Sequence, residues 1–283
     1  MASLIPFFVG AALAWRDTRS IDIGLVVAAF LVLFLVEVGK NAVNDLYDFR
    51  SGADTAVLPN ERTPYSGGKR VLIDHLLIER DLVVIAWIAF ALAGVLGFVI
   101  VFGRHPLLLL LGATAALVSV LYSMPPVQLS YRGLGELAVA AVYGPGIVLG
   151  SVLLFGGRIT AETIGASIIL GILIAVVLLT NELPDERADG VAGKRTLVVR
   201  MGRDLSTSFI AVLFATAFAI PLLTVAYGGV DYFFGALAGV PVSYIAYVLL
   251  RREFDRPPVA GQTATLITYL VTGLGLALGA ILL

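Results

Sequence analysis

The sequence contains no cysteine, which excludes disulfides, thiolate metal sites and cysteine nucleophiles. Charged residues are scarce: they make up 14% of the 283 residues, whereas a soluble domain carries about a quarter. The net charge is −1, so no global field favours nucleic acid as a partner. The two histidines, His75 and His105, have no metal-ligand partner at useful spacing, and we interpret both as surface residues. Any electrostatic function must therefore come from the local placement of a few charges.

The chain consists largely of long apolar runs. Apolar residues form 59% of the chain, and the mean hydropathy is +0.98. The runs are continuous rather than alternating, and an open sheet edge cannot be left unpaired in hydrocarbon, so we expect membrane-spanning helices. The sequence predicts an all-α, multi-pass transmembrane bundle of about nine helices. They fall at residues 2–15, 22–44, 82–102, 106–122, 136–156, 161–180, 205–227, 231–250 and 262–283.

The first run resembles the apolar region of a signal peptide. It has no positively charged segment before it, and further spans follow at once, so we interpret it as the first membrane helix. Its shortness is consistent with the loss of residues upstream of Met1.

The basic residues are distributed unevenly between the two sides of this predicted bundle. The loops after the second, fourth, sixth and eighth runs hold 14 of the 19 basic residues, and the opposite loops hold four. Because basic loops stay in the cytoplasm, we expect a protein of the cytoplasmic membrane with its N-terminus and long charged loops inside the cell. An odd number of spans places the C-terminus outside.

Two acidic motifs follow the second and sixth runs. The first reads NDLYDFRSGAD from Asn44, and the second reads NELPDERADG from Asn181. They share an Asn, an acid, two further residues, an Asp, and then another Asp and a Gly. If the second helix continues to Asp48, the polar residues of the first motif lie on one face of that helix.

Cations follow each motif: Lys69 and Arg70 come after the first, and Lys194 and Arg195 after the second. The chain therefore contains a loose internal duplication of apolar helix, acid cluster and basic tail, over about residues 22–80 and 161–203. Ligands of membrane proteins tend to bind where such repeats meet.

Carboxylates at bilayer depth cost about 3 kcal/mol each, which suggests that a cation offsets them. Mg²⁺ suits this role because it takes one or two carboxylates together with water and phosphate oxygens. Two facing clusters could hold Mg²⁺ around a diphosphate, with Arg and Lys on the remaining oxygens. The alternative for either cluster is a solvated helix end that faces the cytosol. Ca²⁺ binding is disfavoured because neither segment has EF-hand spacing.

Together with YSMPPVQLSYRGLGE between them, the two motifs resemble the UbiA-type intramembrane prenyltransferase superfamily over nearly the whole chain. The resemblance implies a single transmembrane domain, residues 1–283, with nine helices around a central cavity and both motifs at its cytoplasmic mouth. It implies transfer of a polyprenyl group from an allylic polyprenyl diphosphate, with Mg²⁺ as cofactor. The implied catalytic residues are Asp45, Asp48, Asp185 and Asp189. The implied Mg²⁺ ligands are these four aspartates together with Asn44 and Asn181, and Asp54 and Glu182 are further candidates. The implied diphosphate-binding residues are Asn44, Lys69, Arg70, Arg132, Asn181, Lys194 and Arg195.

Within the superfamily the sequence is most similar to MenA-like members, through YRGLGE, YGPGIVLGS and AGKRTLVVRMG. This similarity implies a small aromatic acceptor, 1,4-dihydroxy-2-naphthoate, in menaquinone biosynthesis. The alternatives are another acceptor (4-hydroxybenzoate, a chlorin, haem, or a glycerol or sugar phosphate) and, from a different class, an ion-coupled transporter. Two positions depart from the usual pattern: Glu182 stands where many relatives have Asp, and Asp54 lies ten residues after Asn44.

Several other side chains have two interpretations. Tyr47, Tyr65, Tyr122 and Tyr131 are candidates to stabilise an allylic cation, or else tyrosines of the membrane interface. Glu37 and Lys40 lie deeper in the second run, where they form a structural ion pair or line the cavity.

Overall fold

A computed structural model describes residues 2–66, 70–102, 104–226, 233–254 and 256–282. The regular structure in these ranges is helical, and the one β interaction is an isolated bridge between Thr63 and Ser66. In chain order the helices are α1 (Leu4–Thr18), α2 (Ile23–Ser51), α3 (Ala53–Ala56), α4 (Glu79–Val101), α5 (Pro106–Leu121), α6 (Gly135–Ala141), α7 (Ile147–Leu154), α8 (Ala161–Glu182), α9 (Glu186–Val191), α10 (Leu197–Met201), α11 (Arg203–Ala226), α12 (Phe233–Ala236), α13 (Gly239–Arg252) and α14 (Val259–Leu282). A 3₁₀ turn at Leu129–Arg132 precedes α6, and a π turn at Val142–Gly146 joins α6 to α7.

The predicted all-α membrane fold is confirmed. Among the described residues, seven helical segments are long and apolar enough to cross a membrane, counting α6 to α7 and α12 to α13 as one segment each. Helix α5 is apolar but shorter, with 16 residues, and α1 has 15. Each of the nine predicted runs coincides with one of these segments, although length and composition alone assign seven crossings.

Helix α2 carries Asn44, Asp45 and Asp48 of the first acidic motif, and Asp54 follows on α3. The Asp22 side chain accepts a hydrogen bond from the Leu25 amide and caps the start, and Gly52 ends the helix with a left-handed φ of 84°. Its 29 residues span roughly 44 Å, whereas the hydrocarbon core is about 30 Å thick. The helix is therefore long enough to cross the hydrocarbon core and still include Asn44 to Asp48 in its last turns.

Helix α8 lies at the centre of the bundle and contacts α1, α6, α7, α11 and α14. Most of its side chains are buried, in keeping with a helix surrounded by other helices. It ends at Glu182, and Pro184 follows, whose ring and missing N–H prevent an α-helix from continuing. The second motif therefore spans a break: Asn181 and Glu182 end α8, whereas Asp189 lies on the short helix α9.

The π turn is explained by Pro145 and by a close helix contact. Pro145 has no amide hydrogen, so the regular α-helical bond at this point is lost, and a wider turn accommodates the ring. Gly144 lies so close to α8 that an added Cβ would be 2.5 Å from the Ser167 carbonyl oxygen. This geometry presses the chain against α8 and places Tyr143 at the wall of a cavity.

Candidate active site

A cavity of about 590 Å³ lies between α2, α5, α6 and α8. Both acidic motifs line one end of it, which brings together residues that are 127 to 145 positions apart in the chain. The opposite end is lined mainly by apolar side chains of α5, α6 and α8. The lining residues from the motifs are Asn44, Asp45, Asp48, Asp54, Asn181, Glu182, Asp185 and Asp189.

Asp48 of the first motif is held by three neighbouring side chains. It is buried, with 6% of its surface exposed. Its carboxylate accepts hydrogen bonds from Asn44 Nδ2 over 2.9 Å and from the Tyr131 hydroxyl over 2.8 Å, and Lys194 Nζ lies 3.3 Å away. The Ser123 hydroxyl in turn donates to Asn44 Oδ1 over 2.8 Å. The orientation of Asp48 is therefore fixed from three sides.

Lys194 connects the two motifs. Its Nζ lies 3.3 Å from Asp48 Oδ2 and 3.6 Å from Asp189 Oδ1, and its backbone amide donates to the Asp189 carbonyl. Gly193, with a φ of 75°, lets the chain reverse just before the lysine. The reversal turns the side chain back into the cavity, where it is largely buried.

Two side chains from other helices support the second motif. Gln262, buried on α14, donates from Nε2 to Asn181 Oδ1 over 3.3 Å. Glu136 of α6 lies against Glu182 and accepts a hydrogen bond from the Leu197 amide over 3.0 Å. Ser123, Gln262 and Glu136 are not among the site residues predicted from the sequence. Ser123 and Glu136 lie in the YSMPPVQLSYRGLGE stretch, and Gln262 is a polar residue at the start of an apolar run.

The loop after α3 covers the acidic end of the cavity. Thr63, Tyr65 and Ser66 line it, and the Tyr65 hydroxyl lies 2.9 Å from Thr263 Oγ1 on α14. Arg187 on α9 holds the same loop through two short bonds to Glu61, of 2.6 and 2.7 Å, and these bonds lower the pKa of the Glu61 carboxyl. The loop thus ties the first motif to the second above the cavity.

Comparison with known proteins identifies the family. The UbiA prenyltransferase family model matches residues 3–267. The chain belongs to this family. It is 27% identical to 1,4-dihydroxy-2-naphthoate octaprenyltransferase of Bacillus subtilis, over 77% of this chain and 67% of that protein. It is 30% identical to the enzyme of the same name from Mycobacterium tuberculosis, over 76% of this chain and 69% of that protein.

The solved structures agree on the fold. A UbiA homologue from Archaeoglobus fulgidus, bound to GPP and Mg²⁺, superposes with a TM-score of 0.73 at 15% identity and covers 100% of this chain and 95% of its own. The matches span between 52% and 69% of the length of the curated relatives. The predicted UbiA-type resemblance is confirmed: the protein is a prenyltransferase, and this assignment disfavours the transporter alternative.

The UbiA-family site holds more negative charge than Lys194 offsets. Burial raises the pKa of Asp54 to about 7, and the Asp48 and Asp45 carboxylates add to this shift. Burial also raises the pKa of Asp189 to about 6, although Lys194 counteracts it. Burial lowers the pKa of Lys194, but Asp48 and Asp189 more than compensate and raise it well above its usual range. This excess of carboxylates fits a bound cation.

The oxygen ligands in the site can supply part of the coordination shell of Mg²⁺. Both motifs offer carboxylate and amide oxygens, which this ion prefers. Within the described ranges, however, no group of three acidic or histidine side chains is close enough to enclose a metal ion. The arrangement therefore suits ions that take one or two carboxylates and complete their shell with water and phosphate oxygens.

The predicted diphosphate-binding cations differ in position. Lys194 lines the cavity, whereas Lys69 lies outside the described residues. Arg70 pairs with Asp74 over 2.6 Å, and Arg132 and Arg195 are exposed. The latter three are absent from the cavity wall, and their role in diphosphate binding stays a prediction.

The four candidate tyrosines also differ in whether they line the cavity. Tyr65 and Tyr122 line the cavity. The Tyr131 hydroxyl donates a hydrogen bond to Asp48, and the Tyr131 ring lies 5.6 Å from Lys194 Nζ. Tyr47 lies outside the cavity wall and stacks with Arg50. Tyr65 and Tyr122 are therefore the two of this set that can face a bound substrate.

Proposed function

We propose that this UbiA-family prenyltransferase moves a polyprenyl group from an allylic polyprenyl diphosphate to 1,4-dihydroxy-2-naphthoate, in menaquinone biosynthesis. The observation that carries the proposal is the meeting of both acidic motifs around Lys194 at one end of a cavity whose remaining wall is mainly apolar. A diphosphate and a hydrocarbon chain require such opposite surroundings. The acceptor is supported by the names of the Bacillus and Mycobacterium relatives.

The diphosphate end would hold Mg²⁺, an ion that the Archaeoglobus homologue binds together with GPP. When bound, Mg²⁺ would neutralise the leaving diphosphate as a Lewis acid. Lys194 would donate to the phosphate oxygens between the two motifs. Arg132 and Arg195 would attract the anionic donor from the adjacent surface. The proposed ligands are Asn44, Asp45, Asp48, Asn181, Asp185 and Asp189, with Asp54 and Glu182 as further candidates.

The rest of the cavity would control the carbon chemistry. The bond between the allylic carbon and the diphosphate oxygen breaks, and its electron pair leaves with the diphosphate. Val118, Val139 and Ile174 keep water away from the resulting allylic cation, and the Tyr122 ring can stabilise it. A ring carbon of the acceptor then forms the new carbon–carbon bond, and loss of a proton or of carbon dioxide restores aromaticity.

We further propose that the protein lies in the cytoplasmic membrane with the acidic end of the cavity on the cytoplasmic side. The uneven distribution of basic residues between alternate loops supports this orientation. A polyprenyl chain that leaves the apolar end of the cavity would then enter the bilayer.

The direct test is to incubate membranes that contain the protein with Mg²⁺, labelled geranylgeranyl diphosphate and a panel of acceptors. We expect mass spectrometry to find prenylated 1,4-dihydroxy-2-naphthoate or its decarboxylated form, and chelation by EDTA to abolish product. Asp48→Ala and Asp185→Ala should each abolish turnover while the protein remains inserted. Asp204→Ala, an exposed acid outside the cavity, is the matched control. Product on a different acceptor would overturn the acceptor assignment, and full activity of both cavity variants would overturn the assigned metal ligands.

A further inference from the structure

Three polar side chains meet at the inner end of the cavity, away from the acidic motifs. Lys40 Nζ donates to the Tyr143 hydroxyl over 2.7 Å and to Glu37 Oε2 over 3.1 Å. The Tyr143 hydroxyl donates to Glu37 Oε1 over 2.7 Å, and the Tyr143 ring centroid lies 5.3 Å from Lys40 Nζ. We call Glu37, Lys40 and Tyr143 the inner triad. Lys40 and Tyr143 both line the cavity.

The inner triad lies well below the diphosphate end. Lys40 precedes Asp45 by five residues and Asp48 by eight, which corresponds to about 7.5 and 12 Å along α2. The wall here also includes Asn41, the next residue on α2, and the apolar side chains of Val142 and Ile174. The cavity therefore has a carboxylate-rich end and an inner end where, among the described residues, Lys40 is the cation on the wall.

Stability alone does not account for these charges. Placing a charge at membrane depth costs about 3 kcal/mol, and a buried ion pair is often no better than apolar side chains of similar volume. An apolar contact could equally join α2 to the π turn. π turns are frequent at functional sites, and this one supplies the triad's tyrosine.

Lys40 also has hydrogen-bonding capacity left over. An ammonium group has three N–H donors, and the bonds to Glu37 and Tyr143 use two of them. The Lys40 side chain is 24% exposed, and it lines the cavity. Glu37 and Tyr143 therefore fix the ammonium in place and leave one donor available to a molecule inside the cavity.

We propose that Lys40 is the specificity-determining residue for the acceptor, and that it selects aromatic acceptors with an ionised oxygen, such as a hydroxyaromatic carboxylate. Glu37 and Tyr143 are its positioning residues. This inference rests on the proposed function and extends it, because it assigns the acceptor's anionic group to a particular side chain.

The charge distribution also orients the acceptor. Carboxylates at the mouth repel an anionic oxygen, whereas Lys40 attracts it, and both effects are strong in a site of low dielectric constant. The oxygen therefore points inward and the ring lies between Lys40 and the donor. This arrangement keeps the acceptor's anionic oxygen away from the allylic cation and presents a ring carbon to it.

The test compares two acceptors that differ in one group. 1,4-Dihydroxy-2-naphthoate carries the carboxylate, and 1,4-dihydroxynaphthalene lacks it. With the wild-type protein we expect the first to have a KM at least tenfold lower, since hydrogen bonds to charged groups contribute about tenfold or more. Lys40→Met should raise the KM for the naphthoate at least tenfold, while the KM values for the diol and for the prenyl diphosphate stay within about twofold. Equal wild-type KM values for the two acceptors would overturn the proposal.

A double variant separates recognition from structure. Glu37→Gln combined with Lys40→Met removes both charges, so that no unpaired charge remains in the membrane. We expect this variant to keep the high naphthoate KM of Lys40→Met and to retain a normal donor KM. If the pair were only structural, the double variant would recover the wild-type naphthoate KM, and the proposal would fail.

Acceptor binding without turnover distinguishes this proposal from the proposed function. In nanodiscs with an unreactive thiolodiphosphate donor, the naphthoate should bind the wild-type protein at least tenfold more tightly than Lys40→Met. If the naphthoate is not prenylated but this difference is found, the proposed function fails, whereas Lys40 stands as the residue that binds the anionic group of an aromatic ligand in the cavity. If prenylation of the naphthoate is found and the binding difference is absent, the Lys40 assignment alone fails.

Discussion

Lys194 forms ion pairs with both acidic motifs at once, and these contacts have two consequences for the site. It holds Asp48 and Asp189 at a fixed separation before substrate arrives, and its ammonium is already buried where a diphosphate would bind. A preorganised donor of this kind needs little rearrangement when negative charge develops on the leaving group.

Lys194→Met should therefore lower kcat by about 10²-fold, the usual effect of removing one preorganised donor from a developing anion. Lys194→Arg should retain more activity because the charge remains. Arg80→Met is the matched control, since this exposed cation lies away from the cavity. Steady-state kinetics on membranes with equal amounts of inserted protein provide the measurement. Wild-type kcat in Lys194→Met would show that the lysine has no role in the reaction.

At the residue scale the sequence predicts the acids and the three side chains that bond Asp48, but not the side chains that orient Asn44 and Asn181. The acidic motifs are visible because carboxylates are rare in apolar surroundings and because the pattern occurs twice. Ser123 and Gln262 are ordinary polar residues, and they bond to Asn44 and Asn181 from 79 and 81 positions away. Such contacts depend on how α5 and α14 pack, which local sequence patterns do not encode.

The π turn between α6 and α7 is the element that most directly shapes the inner end of the cavity. Gly144 allows its backbone to approach α8, and a Cβ there would lie 2.5 Å from Ser167 O and 2.9 Å from the Gly171 amide nitrogen. Backbone atoms cannot yield as a flexible side chain can. The position of the turn, and with it the position of Tyr143, therefore depends on the absence of a side chain at Gly144.

Gly144→Ala should destabilise the protein by about 1 to 3 kcal/mol through overpacking. It should also weaken acceptor binding, because displacement of the turn moves Tyr143 away from Lys40. Gly150→Ala on α7 is the matched control, since its added Cβ would meet nothing within 4 Å. Thermal unfolding in detergent and acceptor KM would be measured for both variants. Equal melting temperatures would contradict the tight contact.

Periodicity and apolar length predict where helices occur, but they do not predict how helices end or bend. All nine runs fall on helices, yet the two similar motifs adopt different structures. The first stays helical through Asp48 and breaks only at Gly52, before Asp54, whereas Pro184 breaks the second directly after Glu182. A proline in the motif marks such a break. Pro145 instead permits a π turn, because the packing of Gly144 against α8 holds the flanking helices in line.

At the scale of the whole molecule, the two similar motifs contribute to one site. Helices α2 and α8 end at the same side of the bundle, so their acidic ends face each other across the cavity. The internal duplication and the single domain over residues 1–283 stay predictions. Both are consistent with a cavity whose acidic end is shared between the two halves of the chain.

The absence of cysteine makes the proposed membrane orientation directly measurable. The protein without substitutions gives no labelling background, so one introduced thiol reports on one loop. Arg252→Cys, at the end of α13, and Arg104→Cys, before α5, both replace exposed residues in loops assigned to opposite sides. A membrane-impermeant maleimide should label Arg104→Cys in intact cells and Arg252→Cys only in inverted vesicles. The reverse pattern would place the acidic end of the cavity outside the cell, where a cytoplasmic polyprenyl diphosphate could not reach it.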